Sequence, residues 1–369
     1  MAGEPGEGGE ERGKPETLLQ RLTSLRALDI EVAFRATLAV ALPLILLVAL
    51  GHVDWAAYAC FGAMTSLYGR SEPYRMRART VTVAALCQLG SIAFGILMAV
   101  SDAPLPVLAL GLVGVIAIGI LVASTAGLFP RTPIFFVFAY VVCAQVPTPA
   151  AEVLPRMLVG VAAAAFAWVL TMSGWAIRRA AGDRSADFFK QLPRSSGVRP
   201  AAYRDGQVWL TIAQNVVGVL AAGGLAILAG IGHPYWAVVS VVAVLPPPRA
   251  AHSTARAFHR IVGTVLGVVV TGLVLVPNPP VAVLIVVIAI GQFGAEILVG
   301  RHYGAALLFI TPLALTVAHL ASPLPIQALL VDRTVETALG GGIAILIVLL
   351  ARAGARRARL RGTGLPGGV

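Results

Sequence analysis

Apolar residues run along this chain in long blocks, with neither the alternation of a half-buried strand nor the stripe of a surface helix. In the first half the blocks cover residues 33–50, 53–68, 80–100, 105–128, 134–146 and 157–176. After a hydrophilic stretch they resume at 208–231, 235–245, 261–276, 281–299, 303–320 and 337–351. Most approach the roughly 20 residues that a helix needs to cross a bilayer, although 235–245 is short. The pattern predicts an all-α integral membrane protein of about twelve transmembrane helices.

The second half repeats part of the first. Shifting by 181 positions, from 51 to 232, places Gly51, His52, Trp55 and Ala56 on Gly232, His233, Trp236 and Ala237. The same register places Arg75 and Arg79 on Arg256 and Arg260. Identities held without a gap, in the same order of features, indicate an internal duplication. Six spans per copy would leave the two copies pointing the same way, as in transporters built from parallel repeats. The expected organisation is a disordered tail (1–30), a first six-helix module (31–180), a linker (181–206), a second module (207–352) and a basic tail (353–369).

Composition agrees with the pattern. Hydrophobic residues make up 58% of the chain and charged ones 12%, with a mean hydropathy of +0.86. A soluble domain carries about 25% charged residues. Residues 1–30 are polar and lack the apolar core of a cleavable signal. Cys60, Cys87 and Cys143 all lie inside apolar blocks, as small buried hydrophobes do, so no disulfide or metal site is expected.

The charge distribution adds an orientation. With a cytoplasmic amino terminus, all but Arg156 and Arg333 of the 28 Lys and Arg fall on the cytoplasmic side. That bias follows the positive-inside rule and places both termini and the linker in the cytoplasm of a bacterial-type plasma (inner) membrane. The net charge of +11 therefore points to anionic lipid as partner, and not to nucleic acid.

Several stretches carry a family likeness. They are His233-Pro-Tyr-Trp236, the run from Arg260 through Gly263-Thr264 to Gly267, Arg301-His-Tyr303 leading into Phe309-Ile-Thr311-Pro312, and Arg333-x-x-Glu336-Thr337-x-x-Gly340. In order and spacing they resemble the fusaric acid resistance family. That family includes bacterial aromatic acid exporters and is related to plant aluminium-activated malate transporters. The likeness covers residues 31–352 and is densest in the second half. Thr82 and Leu86 stand where the second half has Gly263 and Gly267, and the short linker lacks the large cytoplasmic domain of longer members. The resemblance implies export of small organic anions, aromatic carboxylates among them.

The residues can be weighed against that implication. Arg256 and Arg260 are one helical turn apart at a predicted helix start, where the macrodipole already favours an anion. Arg75 and Arg79 repeat the spacing, so four guanidiniums could meet at the cytoplasmic mouth. Each could equally anchor its helix to lipid phosphate. Trp55 and Trp236, with His52 and His233 before them, read either as an interfacial belt or as a rim that stacks aromatic substrate and senses protons. Glu296 lies inside an apolar block and is a candidate for proton coupling, unless it pairs with Arg301 five residues on.

Other chemistries find little support. The run from Gly8 to Lys14 begins like a phosphate loop, but Pro15 replaces the Ser or Thr that would hold magnesium. The sequence reads as a non-enzyme without cofactor or metal, and homo-oligomers are possible. Three functions stay open: a secondary, proton-coupled exporter, an organic-anion channel, or a membrane scaffold without transport.

Overall fold

The computed structural model of the protein describes residues 27–70, 72–181, 197–248, 250, 254–321 and 325–362. Most of the amino-terminal tail and of the linker, and residues 363–369 of the basic tail, lie outside those residues, as do Lys14, Lys190, Arg249 and His252. The described residues form helices and no strand. In the first half these are α1 (Ala27–Ala49), α2 (Ala56–Ala63), α3 (Tyr74–Val100), α4 (Leu105–Ala126), α5 (Ile134–Cys143) and α6 (Val153–Ala181). The second half contributes α7 (Gly206–Leu228), α8 (Tyr235–Val244), α9 (Thr254–Leu275), α10 (Val281–Leu298), α11 (Tyr303–Ala321) and α12 (Ile326–Gly362). Short 3-10 turns precede α2 at Val53–Trp55 and extend it at Met64–Leu67.

Local sequence sets the boundaries. Pro73, Pro104, Pro133, Pro234 and Pro280 stand immediately before α3, α4, α5, α8 and α10. A proline suits a helix start because its φ is already helical and the first N–H groups have no intrahelical partner. Helix α4 ends on Gly127, whose φ of 71° is left-handed and favours glycine.

Nine helices among the described residues are long and apolar enough to cross a membrane. Leu110, Leu228 and Leu273 are exposed on them, as a lipid-facing surface requires. The other three differ. Helices α5 and α8 have 10 residues each and α2 has 8. Ten residues rise about 15 Å, half of a hydrocarbon core about 30 Å thick. Every residue of α2 and of α8 is buried, so these short helices are enclosed by longer ones. The protein is thus a multi-pass membrane protein whose described residues are helical, with nine full-length helices among them around shorter buried ones.

Helix pairings recur between the halves. In the first, α1 packs on α2 and α6, α2 on α6, α3 on α5 and α6, and α4 on α5. In the second, α7 packs on α8 and α12, α8 on α12, α9 on α11 and α12, and α10 on α11. Contacts between the halves also come in matched pairs, α1 with α10 and α4 with α7, then α2 with α11 and α5 with α8.

Helices α1, α3, α9 and α12 begin six or more residues before their apolar blocks. Helix α3 begins six residues before the block at 80–100, so Arg75, Arg77 and Arg79 are helical. Helix α12 begins at Ile326, before the block at 337–351, and carries Asp332, Arg333 and Glu336 into the bundle. The helices continue past their apolar stretches because a backbone at membrane depth must satisfy its own hydrogen bonds, whatever the side chains are.

Glycine lets α9 lie against α11. A Cβ on Gly267 would sit 2.6 Å from the Thr311 Cβ and 2.7 Å from the Leu307 carbonyl oxygen. On Gly342 of α12 a Cβ would meet nothing within 4 Å. Gly267→Ala is therefore expected to destabilise by about 1–3 kcal/mol through forced separation of the two helices. Gly342→Ala gains helix propensity without a clash and should leave the melting temperature unchanged or higher. Thermal unfolding of the detergent-purified variants checks the pair.

Candidate functional site

The short buried helix α8 carries the most polar surroundings in the second half. The N–H groups at and just before its start need acceptors from outside the helix, that of Trp236 having besides only the His233 carbonyl oxygen at 3.0 Å. Glu336 of α12 supplies the acceptors: the backbone N–H of His233 donates to Oε1 at 2.9 Å and that of Trp236 to Oε2 at 3.1 Å. At the other end Arg256 donates through Nε to the carbonyl oxygen of Ala243 at 2.7 Å. An anion at the amino end and a cation at the carboxyl end both oppose the helix dipole.

Between these caps lie two buried arginines. Arg333 is 1% exposed and stacks on Trp236, its Cζ 3.9 Å from the indole centroid. Arg260 is 3% exposed; it donates through Nη1 to the Tyr303 hydroxyl at 3.3 Å and through Nη2 to Ser240 Oγ at 3.4 Å. Trp236 and Ser240 are one turn apart on α8, so the two guanidiniums address neighbouring levels, about 6 Å apart along the axis. They are close enough to repel one another.

Their hydrogen bonds are incomplete. Arg333 Nε and Nη1, Arg260 Nε and the Trp236 indole N–H are all buried without an acceptor among the described residues. The first half offers a comparison. Arg156 of α6 also lies over an aromatic ring of its half's second helix, 5.5 Å from the Tyr58 centroid. Arg156, however, is saturated: Nε and Nη2 bind Glu152 at 2.9 and 2.6 Å, and Nη1 donates to Pro147, Thr148 and Tyr58 at 2.8 to 3.1 Å. A buried N–H without a partner costs about 1–3 kcal/mol, and more on a charged group. Arg156 is a structural tie, whereas Arg333 and Arg260 hold donor capacity that an anion would fill.

The structure distributes the sequence candidates unevenly. Arg260 is in the site. Arg256 is exposed at its edge, capping α8 and lying 4.2 Å from the Tyr303 ring centroid. Arg75 and Arg79 share one face of α3, as their spacing requires, but that face is exposed and the buried position is Arg77. Trp236 is buried within the site and so does not stand in an interfacial belt. Trp55 is half-buried; His52 stacks on it at 4.0 Å and its indole donates to Glu152 at 3.3 Å. His233 lies at the mouth of the site, where its Nδ1 is 2.6 Å from Asp332 Oδ2.

Glu296 belongs to a different cluster. Its carboxylate pairs with Arg70 at 3.4 Å, and Arg301 pairs instead with Asp29 at 2.7 Å. Arg70 also reaches Asp29 at 3.0 Å. These four charges tie α1 and the turn before α3 to the end of α10, and so join the two halves. The alternative pairing of Glu296 with Arg301 is not made: Arg301 lies past the end of α10 and turns to Asp29, whereas Arg70 approaches Glu296 from the first half.

Arg333, Glu336 and Asp332 had no role assigned from periodicity or charge. A signal was present: Arg156 and Arg333 were the two basic residues that the positive-inside pattern left on the far side. Truncating Glu336 to Ala would strand the N–H of His233 and leave that of Trp236 only the His233 carbonyl oxygen at 3.0 Å, and should cost about 1–3 kcal/mol of stability, while Glu336→Gln keeps an acceptor and should cost less. Thermal melting of the two variants in one detergent checks the order.

Among curated proteins, an uncharacterized protein of Synechocystis sp. is 30% identical over 131 residues. That match spans 35% of this chain and 17% of the relative. No solved structure matches the chain. A family described as fusaric acid resistance protein-like matches residues 206–347, which hold Glu336, Arg333, Arg260 and all of α8. The second half of this chain, which contains the candidate site, is thus the part similar to the fusaric acid resistance protein-like family.

Proposed function

We propose that the protein is a secondary membrane transporter that exports small organic anions, with aromatic carboxylates as the substrate class. One observation carries the reading: two guanidiniums lie buried in an apolar bundle with N–H groups that donate to nothing among the described residues. Taking such a charge out of water costs several kcal/mol, and a bound carboxylate offsets that cost. Arginine suits the task because its planar fork binds both carboxylate oxygens. Trp236, already stacked under Arg333, offers an apolar face to an aromatic ring beside its carboxylate.

The twelve helices are read as twelve crossings in two parallel six-helix modules, supported by pairings that recur in the same order in both halves. Both termini then share one side, the cytoplasm of a plasma membrane, as the charge bias favours. The Arg70, Asp29, Glu296 and Arg301 cluster ties the halves together at the opposite end from His233. It serves as a closure between modules, which places Glu296 outside the anion path.

The test is uptake of radiolabelled benzoate into proteoliposomes. Arg260→Lys and Arg333→Lys are expected to insert normally and to lower uptake at least about tenfold, since lysine keeps the charge and loses the fork. Arg75→Lys and Arg79→Lys are expected to transport as the unmodified protein does. Full uptake by both interior lysine variants would remove the anion site.

A further inference from the structure

We infer that the buried amino terminus of α8 is itself a carboxylate-binding site, and that Glu336 is its resident occupant, displaced when the substrate carboxylate arrives together with a proton. The inference rests on the anion-transport reading and names the group that couples it to protons. Helix α8 is ten residues long, and two N–H groups at its start, that of Trp236 in its first turn and that of His233 just before it, converge on one carboxylate that belongs to another helix. Converging N–H groups at the positive end of a helix form an anion site wherever they occur. Here the anion is a side chain.

An independent observation points to a second, exchangeable anion in the same place. Arg333, 1% exposed, stacks on Trp236 in the first turn of α8 and leaves Nε and Nη1 without acceptors. Glu336 is three residues on along the same helix, yet both of its oxygens are turned to the backbone of α8. One end of the site therefore has an acceptor in place, while the other has donors waiting. A substrate carboxylate lodged between Arg333 and the α8 amino terminus would use both.

With Glu336 ionised, that substrate meets a like charge at the N–H groups it needs. Adding one proton converts Glu336 to the neutral acid; no other bond changes, and the proton leaves again when the substrate departs. The route for the proton is at hand. His233 and Asp332 form a 2.6 Å pair beside Glu336, with 14% and 19% of their side chains exposed. A Cβ on Gly232 would come within 2.7 Å of the same Asp332 oxygen, so that turn closes tightly over the pair. The other charged or titratable groups around Glu336 are Tyr235 from α8, Arg333 on its own helix, and Arg260 and Tyr303 beyond it. Helix α7, the remaining neighbour of α12, has no titratable side chain.

The sign follows directly. Anion binding is strongest where Glu336 is protonated and weakens as pH rises, because the ionised carboxylate both occupies the N–H groups and repels the ligand. Glutamine copies the neutral acid in shape and keeps an acceptor for the backbone.

The experiment is calorimetric titration of the full chain in detergent with benzoate, at about pH 6 and about pH 8. The unmodified protein is expected to bind at least about tenfold more weakly at the higher pH. Glu336→Gln is expected to bind equally at both, with the affinity that the unmodified protein shows at the lower pH. Gly342→Ala, exposed on the same helix and meeting nothing within 4 Å, serves as the folding control and is expected to keep the full pH dependence. If Glu336→Gln melts as the unmodified protein does and keeps the full pH dependence, Glu336 is a structural cap only and the inference fails while anion transport stands. If benzoate binds neither protein at either pH, the anion reading fails and takes the inference with it.

Discussion

The structure turns on the ends of one short helix. A helix of ten residues buried on every side cannot send its terminal N–H and C=O groups to water, and a bilayer offers nothing in exchange. Helix α8 meets this constraint with a carboxylate from α12 at one end and a guanidinium from α9 at the other. That arrangement fixes three helices around a common polar core. Arg333 and Glu336 are three residues apart on α12, so holding Glu336 at the α8 amino terminus also holds Arg333 against Trp236. Arg256 and Arg260 are one turn apart on α9, so capping the other end brings Arg260 to Ser240.

Close packing supports the same core. A Cβ on Gly340 of α12 would collide with the carbonyl oxygen of Ala237 and lie 2.9 Å from the Ser240 Cβ, so α12 can approach α8 only through glycine there. Gly263 and Gly267 play that part between α9 and α11. Between apolar helices in lipid there is little hydrophobic drive to associate, and small residues that permit close backbone contact take its place. The first half keeps the general layout, but the arginine over its own second helix completes its polar contacts. Arg156 is fully bonded to Glu152, Pro147, Thr148 and Tyr58, which leaves it no donors for a ligand.

Much of this was legible in the sequence. Apolar blocks located α4, α7, α10 and α11 to within a few residues, and the short block at 235–245 became a ten-residue buried helix. Arg260 was legible because its spacing from Arg256 and its neighbouring glycines marked a packed helix face. The rest was hidden by the same signals. An apolar window starts α12 after its charges, and so left Asp332, Arg333 and Glu336 outside the membrane, although they carry the site. Spacing also shows that Arg75 and Arg79 share a face without showing which face is buried; α3 turns Arg77 inward instead. Glu296 found Arg70, a partner 226 positions away that no local pattern could indicate.

The central claim is that the unsaturated donors around α8 hold the transported anion. Locating the bromine of 4-bromobenzoate by anomalous scattering in crystals of the protein tests it directly. The account predicts a peak beside Trp236, with the carboxylate in reach of Arg333 or Arg260. A peak confined to the exposed arginines Arg75 and Arg79, or to the Arg70 and Glu296 cluster, would contradict it.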